Sequence, residues 1–229
     1  MSHSVHPYSH RLGIIRDWKS RWFGINKSYR TSLKTDLIIR EFLVKELRTF
    51  YLADIQIERN QKALKVTIRS SRPGMIITRS GDGVAKLSAK ILALLKKRGV
   101  ELTGIELKLD IEEVRNPESN AAIVAMMVAE GLEKRLPFRR VLKQTLEKVL
   151  ASKEVKGAKI KLAGRLGGAE MARQEDLKKG QIPLQTLRAD IDFAREKAHM
   201  TYGDIGIKVW IYKGQIFEKD LKAGKSVNQ

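Results

Sequence analysis

Two short runs of alternating apolar residues constrain the fold of the first half of this chain most strongly. Ile55 and Ile57 lie in the first run, and Leu64, Val66 and Ile68 lie in the second. Alternation with period two is typical of half-buried strands, and four polar residues separate the runs. The pattern therefore predicts a hairpin of two strands, 54–58 and 63–69.

Helical spacing flanks this hairpin on both sides. A helix is predicted from Ser32 or Thr35 to about Phe50, and a second one follows Gly83 and ends at the basic turn before Gly99. The apolar positions 105, 107, 109 and 111 alternate and predict one further strand. The first half is thus expected to run helix, strand, strand, helix, strand.

The dipeptide Asn116-Pro117 marks the predicted domain boundary. Beyond it the spacing predicts helices over about 119–135 and 138–151, then strands over 158–163, 187–193 and 205–213, with 169–182 left unassigned. Both halves are expected to be α+β. The predicted parts are a basic extended arm (1–30), a first domain (31–117), a second domain with two helices and a mixed or antiparallel sheet (118–218), and a flexible tail (219–229).

The charge balance indicates a polyanionic partner. The chain has 45 lysines and arginines against 26 acidic residues, a net charge of +19, and no cysteine. Phosphate is the usual neutralising group, because each cation placed on a phosphate releases a condensed counterion. Disulfides and thiolate metal sites are excluded, and we find neither a signal peptide nor a run of transmembrane length. We therefore expect a cytoplasmic protein with no membrane partner.

The loop Thr78, Arg79, Ser80, Gly81 lies between the hairpin and the next helix, which is the setting of a KH domain. In that domain a Gly-x-x-Gly loop lets the nucleic-acid backbone approach closely, since glycine has no Cβ. Here Thr78 stands at the first glycine position. A plain polar turn remains an alternative, although Arg72 and Arg79 favour a phosphate contact.

The helix predicted over 138–151 carries the stronger signal. Helical geometry directs Arg139, Arg140 and Lys143 away from the apolar face made by positions 138, 142, 146 and 149. Between residues 134 and 165, eleven basic residues oppose only Glu147 and Glu154. A solvated surface normally mixes signs, so this segment predicts a nucleic-acid-binding face.

Other candidate sites are weaker. The glycine-rich stretch 164–168 could form a phosphate nest or only turn the chain, and it matches no P-loop. Trp18, Trp22 and Phe23 could stack on bases or cover an apolar patch. The histidines lack a rigid set of further ligands, and no side chains form a catalytic constellation. We expect no metal, no cofactor, no small-molecule substrate and no enzymatic activity.

Several longer blocks resemble bacterial small-subunit ribosomal protein three. They comprise 5–14, 72–77, 113–118, 138–140, 164–170, 183–192, 201–203 and 206–211, in the order found in that family. The resemblance covers most of residues 5–217. Thr78 departs from it, as does Ser9 where the family usually has glycine, and extra residues lie near 98–103.

The resemblance implies a type II KH domain, a family-specific α+β domain, and a ribosome-bound position on the head of the small subunit. It implies contact with ribosomal RNA and with ribosomal proteins ten and fourteen, and a face along the channel where messenger RNA enters. Arg139, Arg140 and Lys143 are then expected to bind messenger and support its unwinding. Binding of ribosomal RNA is expected of six arginines: Arg11, Arg72, Arg79, Arg135, Arg165 and Arg173.

Two other functions stay open at this point. A free-standing KH-domain regulator would bind single strands through residues 72–83, and the altered loop argues against it. An enzyme acting on nucleic acid would need a carboxylate cluster or an activated lysine, and no motif supplies either.

Overall fold

The computed structural model describes residues 5–78, 81–100 and 105–217. These form two compact units, residues 18–115 and residues 5–17 together with 116–217. The helices are α1 (Pro7–His10), α2 (Asn26–Glu46), α3 (Pro73–Ile77), α4 (Asp82–Lys97), α5 (Ala121–Glu133) and α6 (Phe138–Ala151). The strands are β1 (Ser20–Arg21), β2 (Leu52–Arg59), β3 (Ala63–Ser70), β4 (Glu106–Glu113), β5 (Gly157–Gly164), β6 (Arg173–Gly180), β7 (Ala189–Met200) and β8 (Gly203–Gln215).

The first unit, which we call the KH unit, is built around a mixed sheet in the order β1-β2-β3-β4. Strands β2 and β3 form the predicted antiparallel hairpin, while β4 runs parallel to β3. One face of the sheet is apolar and buried, with Ile57, Val66 and Ile68 fully covered. Helices α2 and α4 bury Leu43 and Ile91. The α+β architecture with a KH domain is confirmed.

Helix α2 begins at Asn26, earlier than the sequence predicted. The Ser28 hydroxyl accepts from the Ile25 backbone N–H at 3.1 Å, and this bond supplies the cap that was expected at Ser32 or Thr35. Thr35 is instead buried inside the helix, and its hydroxyl donates to the Thr31 carbonyl. Such back-bonding lets a threonine occupy a helix interior.

The second unit, the C-terminal unit, has an antiparallel sheet in the order β6-β5-β8-β7 with α5 and α6 on one face. Asn120 caps α5 by accepting from the Ala122 N–H at 3.0 Å. Buried side chains of the two helices and of β5 and β8 form one core. The edge strand β6 lies in the segment left unassigned, because seven of its eight residues are exposed and no alternation marks it.

The N-terminal segment, residues 5–30, packs on both units, whereas the sequence predicted an extended arm that a partner would have to order. Its first part packs on the C-terminal unit, where Arg11 is fully buried. Its second part belongs to the KH unit: Ser20 pairs with Ile57 as a short parallel strand. Since these contacts join residues far apart in sequence, no local pattern predicts them. The predicted tail, 219–229, lies outside the described residues.

Candidate nucleic-acid interface

Helix α6 presents the predicted basic cluster to solvent. Its apolar face buries Val141, Leu142, Leu146 and Val149 against the core of the C-terminal unit. Arg139, Arg140 and Lys143 are all exposed on the other side, as their helical spacing predicts. Pro137 precedes the first residue of the helix, where its missing N–H leaves no hydrogen bond unmade.

Arg139 is linked to the edge strand β6 through a shared carboxylate. Its Nη2 lies 3.4 Å from Glu175 Oε1, and Arg173 Nε lies 3.5 Å from the same oxygen. The guanidinium carbons of Arg139 and Arg173 lie 5.6 and 5.5 Å, respectively, from the centre of the Phe138 ring. The structure thus brings Arg139 and Arg173 together, although the family resemblance implied different RNAs for them. Glu175 is an acidic neighbour that the helical pattern alone could not identify.

A groove of about 470 Å³ runs between α6 and β6 beside this cluster. Leu142, Leu146 and Leu177 supply its apolar lining, and Lys143 and Lys179 lie along it. The Arg139 side chain remains 74% exposed despite its carboxylate partner. An exposed surface ion pair contributes little to stability, so this guanidinium can exchange Glu175 for a phosphate at small cost.

Arg165 and Arg135 have different surroundings. Arg165 is half-buried, and its Nε donates to the Ala169 carbonyl at 2.8 Å across the glycine turn. Its guanidinium also lies 5.9 Å from the Tyr202 ring. Arg135 is exposed and has a positive φ of 60°, which ends α5 in the manner usual for glycine or asparagine. Arg165 therefore stabilises the turn, while Arg135 is accessible.

Arg11 is the most buried arginine of the predicted set, with no exposed surface. Its guanidinium donates to four backbone carbonyls at 2.6 to 3.0 Å, those of Pro7, Leu184, Thr186 and Ala189. Burial lowers the pKa of this guanidinium, and the negative charge of Asp190 opposes the shift. Arg11 thus fastens the N-terminal segment to the C-terminal unit, and RNA binding by Arg11 stays an untested prediction.

The KH loop keeps a glycine-like backbone at the position where glycine is missing. Thr78 has φ 62° and ψ 165°, a region that is essentially restricted to glycine. Gly81 also has a positive φ, 76°, and directly precedes α4. Arg79 and Ser80 lie outside the described residues. Arg72 is exposed, with its guanidinium 4.3 Å from the Tyr51 ring centre.

The described residues contain no cluster of three or more side chains that could hold a metal ion. His199 is paired with Asp204, Nδ1 to Oδ1 at 2.7 Å. Among these residues no helix is both long enough and apolar enough to cross a bilayer.

The predicted aromatic candidate Trp22 packs within the KH unit. Its Nε1 donates to Asp36 at 2.7 Å, and its ring centre lies 5.3 Å from that of Tyr29.

Comparison with known proteins gives both halves a family. A KH domain profile matches residues 38–119, and a profile described as "Ribosomal protein S3, C-terminal domain" matches residues 128–211. A protein of Clostridium novyi named "Small ribosomal subunit protein uS3" is 43% identical over 229 residues, the full length of both chains.

The chain belongs to the uS3 family. A second relative with the same name, from Photobacterium profundum, is 42% identical over 94% of this chain and 90% of its own. The predicted family is therefore confirmed, and uS3 proteins are structural rather than enzymatic.

Proposed function

We propose that this uS3-family chain is a ribosome-bound constituent of the small subunit that binds ribosomal RNA, and that Arg139, Arg140 and Lys143 contact messenger RNA. The observation that carries the messenger contact is the exposure of all three cations on one side of α6. The apolar face of the same helix is anchored in the core, so the cations are held on a rigid support. A fixed row of cations can hold a strand by its phosphates without reading its sequence.

Messenger that passes such a row would be held in an extended form. Because phosphate contacts are independent of sequence, they let the strand slide while they oppose its return to a folded hairpin. This is the contribution to unwinding that we propose for α6. We also propose a cytoplasmic location and a place beside ribosomal proteins ten and fourteen, both on the basis of the family resemblance.

The test combines Arg139→Gln, Arg140→Gln and Lys143→Gln in one variant. We expect the variant protein to co-sediment with small subunits through moderate salt, and the ribosomes to slow specifically on messenger that contains a stable hairpin. The measurement compares elongation on matched structured and unstructured messengers.

The matched control removes three lysines of the KH unit that already have acidic partners: Lys65→Gln, Lys90→Gln and Lys108→Gln. These pair with Asp110, Glu46 and Glu106. The control should leave both messengers unaffected. If the α6 variant instead fails to enter subunits, its cations anchor ribosomal RNA; if it slows neither messenger, the proposed contact is wrong.

A further inference from the structure

The sheet of the C-terminal unit has a second face, opposite the one that carries the predicted messenger-binding cluster. Helices α5 and α6 pack on one side of this sheet, where Ile160, Leu162, Ile207 and Val209 are buried. Neighbouring residues in a strand point to opposite faces, so Lys159, Lys161, Lys208 and Trp210 lie on the side away from the helices.

The strand register brings the residues of this opposite face into rows. Lys178, Lys159, Trp210 and Phe193 are successive cross-strand partners, and they form the first row. The second row contains Asp176, Lys161, Lys208 and Arg195. The third contains Gln174, Ala163, Gly206 and Lys197. Ala163 and Gly206 leave the middle of the third row flat, while the first two rows present cations and aromatic rings.

The face has one predominant charge. Its members with charged side chains are six cations, Lys159, Lys161, Lys178, Arg195, Lys197 and Lys208, and two carboxylates, Asp176 and Asp204. Asp176 pairs with Lys159 at 2.7 Å. Lys178, Lys208 and Arg195 are exposed, and the described residues give them no ion pair. Such a density of like charge favours a polyanion over water and salt.

The KH unit provides an internal comparison, since its sheet also has a helix-free face. That face carries four cations, Arg21, Lys65, Arg69 and Lys108, and five carboxylates, Asp54, Glu58, Glu106, Asp110 and Glu112. Ion pairs cross it, including Lys65 to Asp110 at 3.0 Å and Arg69 to Glu112 at 2.8 Å. An exposed sheet face in this protein therefore need not be cationic. On the KH unit, positive and negative side chains are interspersed, as on an ordinary solvated surface.

Aromatic side chains add a second feature that suits RNA. The rings of Trp210 and Phe193 lie 5.1 Å apart on this face, and both residues are half-buried. Lys159 Nζ lies 5.8 Å from the Trp210 ring centre, and the Arg195 guanidinium lies 5.4 Å from that of Phe193. The N-terminal segment bounds this face at β7, where the His6 ring packs edge-on against Phe193 with 4.7 Å between ring centres. Cations beside aromatic rings on an antiparallel sheet are a recurrent arrangement for binding single-stranded RNA.

We propose that the helix-free face of the C-terminal sheet is a second RNA-binding surface, which holds an unpaired RNA segment through Lys161, Lys178, Lys208 and Arg195. This inference rests on the proposed function for its RNA partner, and it adds a surface on the opposite side of the sheet from the α6 cluster. The unit then contacts RNA on both sides, with the messenger on one side and ribosomal RNA on the other.

The first test uses the full chain and a 12-nucleotide oligouridine. The variant combines Lys161→Gln, Lys178→Gln, Lys208→Gln and Arg195→Gln, and Lys159 is kept because it pairs with Asp176. Each phosphate contact contributes about 0.7 to the slope of log affinity against log salt for single strands. If only two of the four cations contact phosphate, the slope for the variant is about 1.4 smaller than the slope for the unaltered chain. If the two proteins bind equally at about 1 M salt, the variant then binds about 25-fold more weakly at about 0.1 M salt.

The matched control removes the same charge from the KH sheet, through Arg21→Gln, Lys65→Gln, Arg69→Gln and Lys108→Gln. We expect its salt slope to stay close to that of the unaltered chain, because these cations lie among carboxylates. Circular dichroism and thermal unfolding establish that both variants fold. An equal loss of affinity in the two variants would mean that only net charge matters, and it would overturn the proposal.

The second test locates the surface in intact small subunits by lysine acetylation and mass spectrometry. We expect Lys161, Lys178 and Lys208 to be protected from acetylation and to become reactive after ribonuclease treatment. The reactivity of Lys65 and Lys108 should not change with that treatment. Protection that survives ribonuclease would assign the face to a protein partner, and full reactivity before treatment would leave it unoccupied; both results overturn the proposal. If the chain never entered subunits, the proposed function would fail separately, since the oligouridine test does not depend on assembly.

Discussion

Replacing Arg11 tests whether this buried cation serves the fold or RNA. The substitution Arg11→Met keeps most of the apolar stem and removes every donor. Four carbonyl oxygens then lose a charged hydrogen-bond partner. A buried acceptor left without its partner costs about 1–3 kcal/mol, and water can reach the part-buried Leu184 and Thr186 carbonyls, which reduces the cost there.

The two bonds to the Pro7 and Ala189 carbonyls are fully buried, so the expected loss is about 2–6 kcal/mol. Three of the four carbonyls, those of Leu184, Thr186 and Ala189, lie more than 170 positions from Arg11 in sequence, so this side chain joins the N-terminal segment to distant parts of the C-terminal unit. We thus expect the loss to appear first as local opening. Hydrogen exchange at the amides of Gly13 and Ile15, which bond within the segment, should accelerate more than exchange in the core strand β5.

Two further variants make the result specific. Arg11→Lys keeps the charge, but its single ammonium cannot reach all four carbonyls, so an intermediate loss is expected. Arg16→Gln removes a half-buried ion pair with Asp190, 2.5 Å from Nη2 to Oδ1, and should cost less than Arg11→Met because it breaks one charged hydrogen bond rather than four. If Arg11→Met left unfolding and exchange unchanged and only weakened RNA binding, the structural role of Arg11 would be refuted.

Three further predictions concern single positions in either unit. Thr78→Gly should stabilise the KH unit by about 1 kcal/mol in chemical denaturation. The positive-φ backbone at Thr78 costs about 1–3 kcal/mol, and glycine removes this strain. The greater conformational freedom of glycine in the unfolded chain offsets only part of that gain. Gly83→Ala should do the reverse and cost about 2–3 kcal/mol in the same assay, since its Cβ would lie 2.1 Å from the Ile76 carbonyl oxygen. The Lys159 hydrogen bond holds the pKa of Asp176 below its ordinary value, so the small stability it gives is present at neutral pH and is lost as the pH falls through that lowered pKa. An NMR titration should show the Asp176 midpoint rising in Lys159→Met, and an unchanged midpoint would contradict this cause.

The local patterns predicted those parts of the fold that depend on one segment at a time. The hairpin of β2 and β3 and the helix α6 lie where alternation and helical spacing placed them. The KH domain was identified from the order of its helices and strands even though Thr78 replaces a glycine, while RNA binding by its loop stays a prediction. These succeed because an apolar face against a core imposes its period on the sequence.

The parts that were not predicted depend on contacts distant in sequence. Strand β6 is exposed at a sheet edge, so no apolar period reveals it. The carbonyl partners of Arg11 at 184, 186 and 189 carry no sequence signal. Glu175 reaches Arg139 only because β6 lies beside α6. In each case the chain's path, and not the local residue pattern, determines what a side chain meets.

The register of the C-terminal sheet changes the meaning of the basic segment 134–165. Counted along the sequence, its eleven cations suggest one surface. In the fold, the α6 cluster lies on the helical side of the sheet, whereas Lys159 and Lys161 point to the opposite side. A linear excess of charge is thus divided between two faces, and the second is completed by Lys208 from β8 and Arg195 from β7. Since both of these cations lie far from Lys161 in sequence, only the cross-strand pairing reveals that the three form one surface.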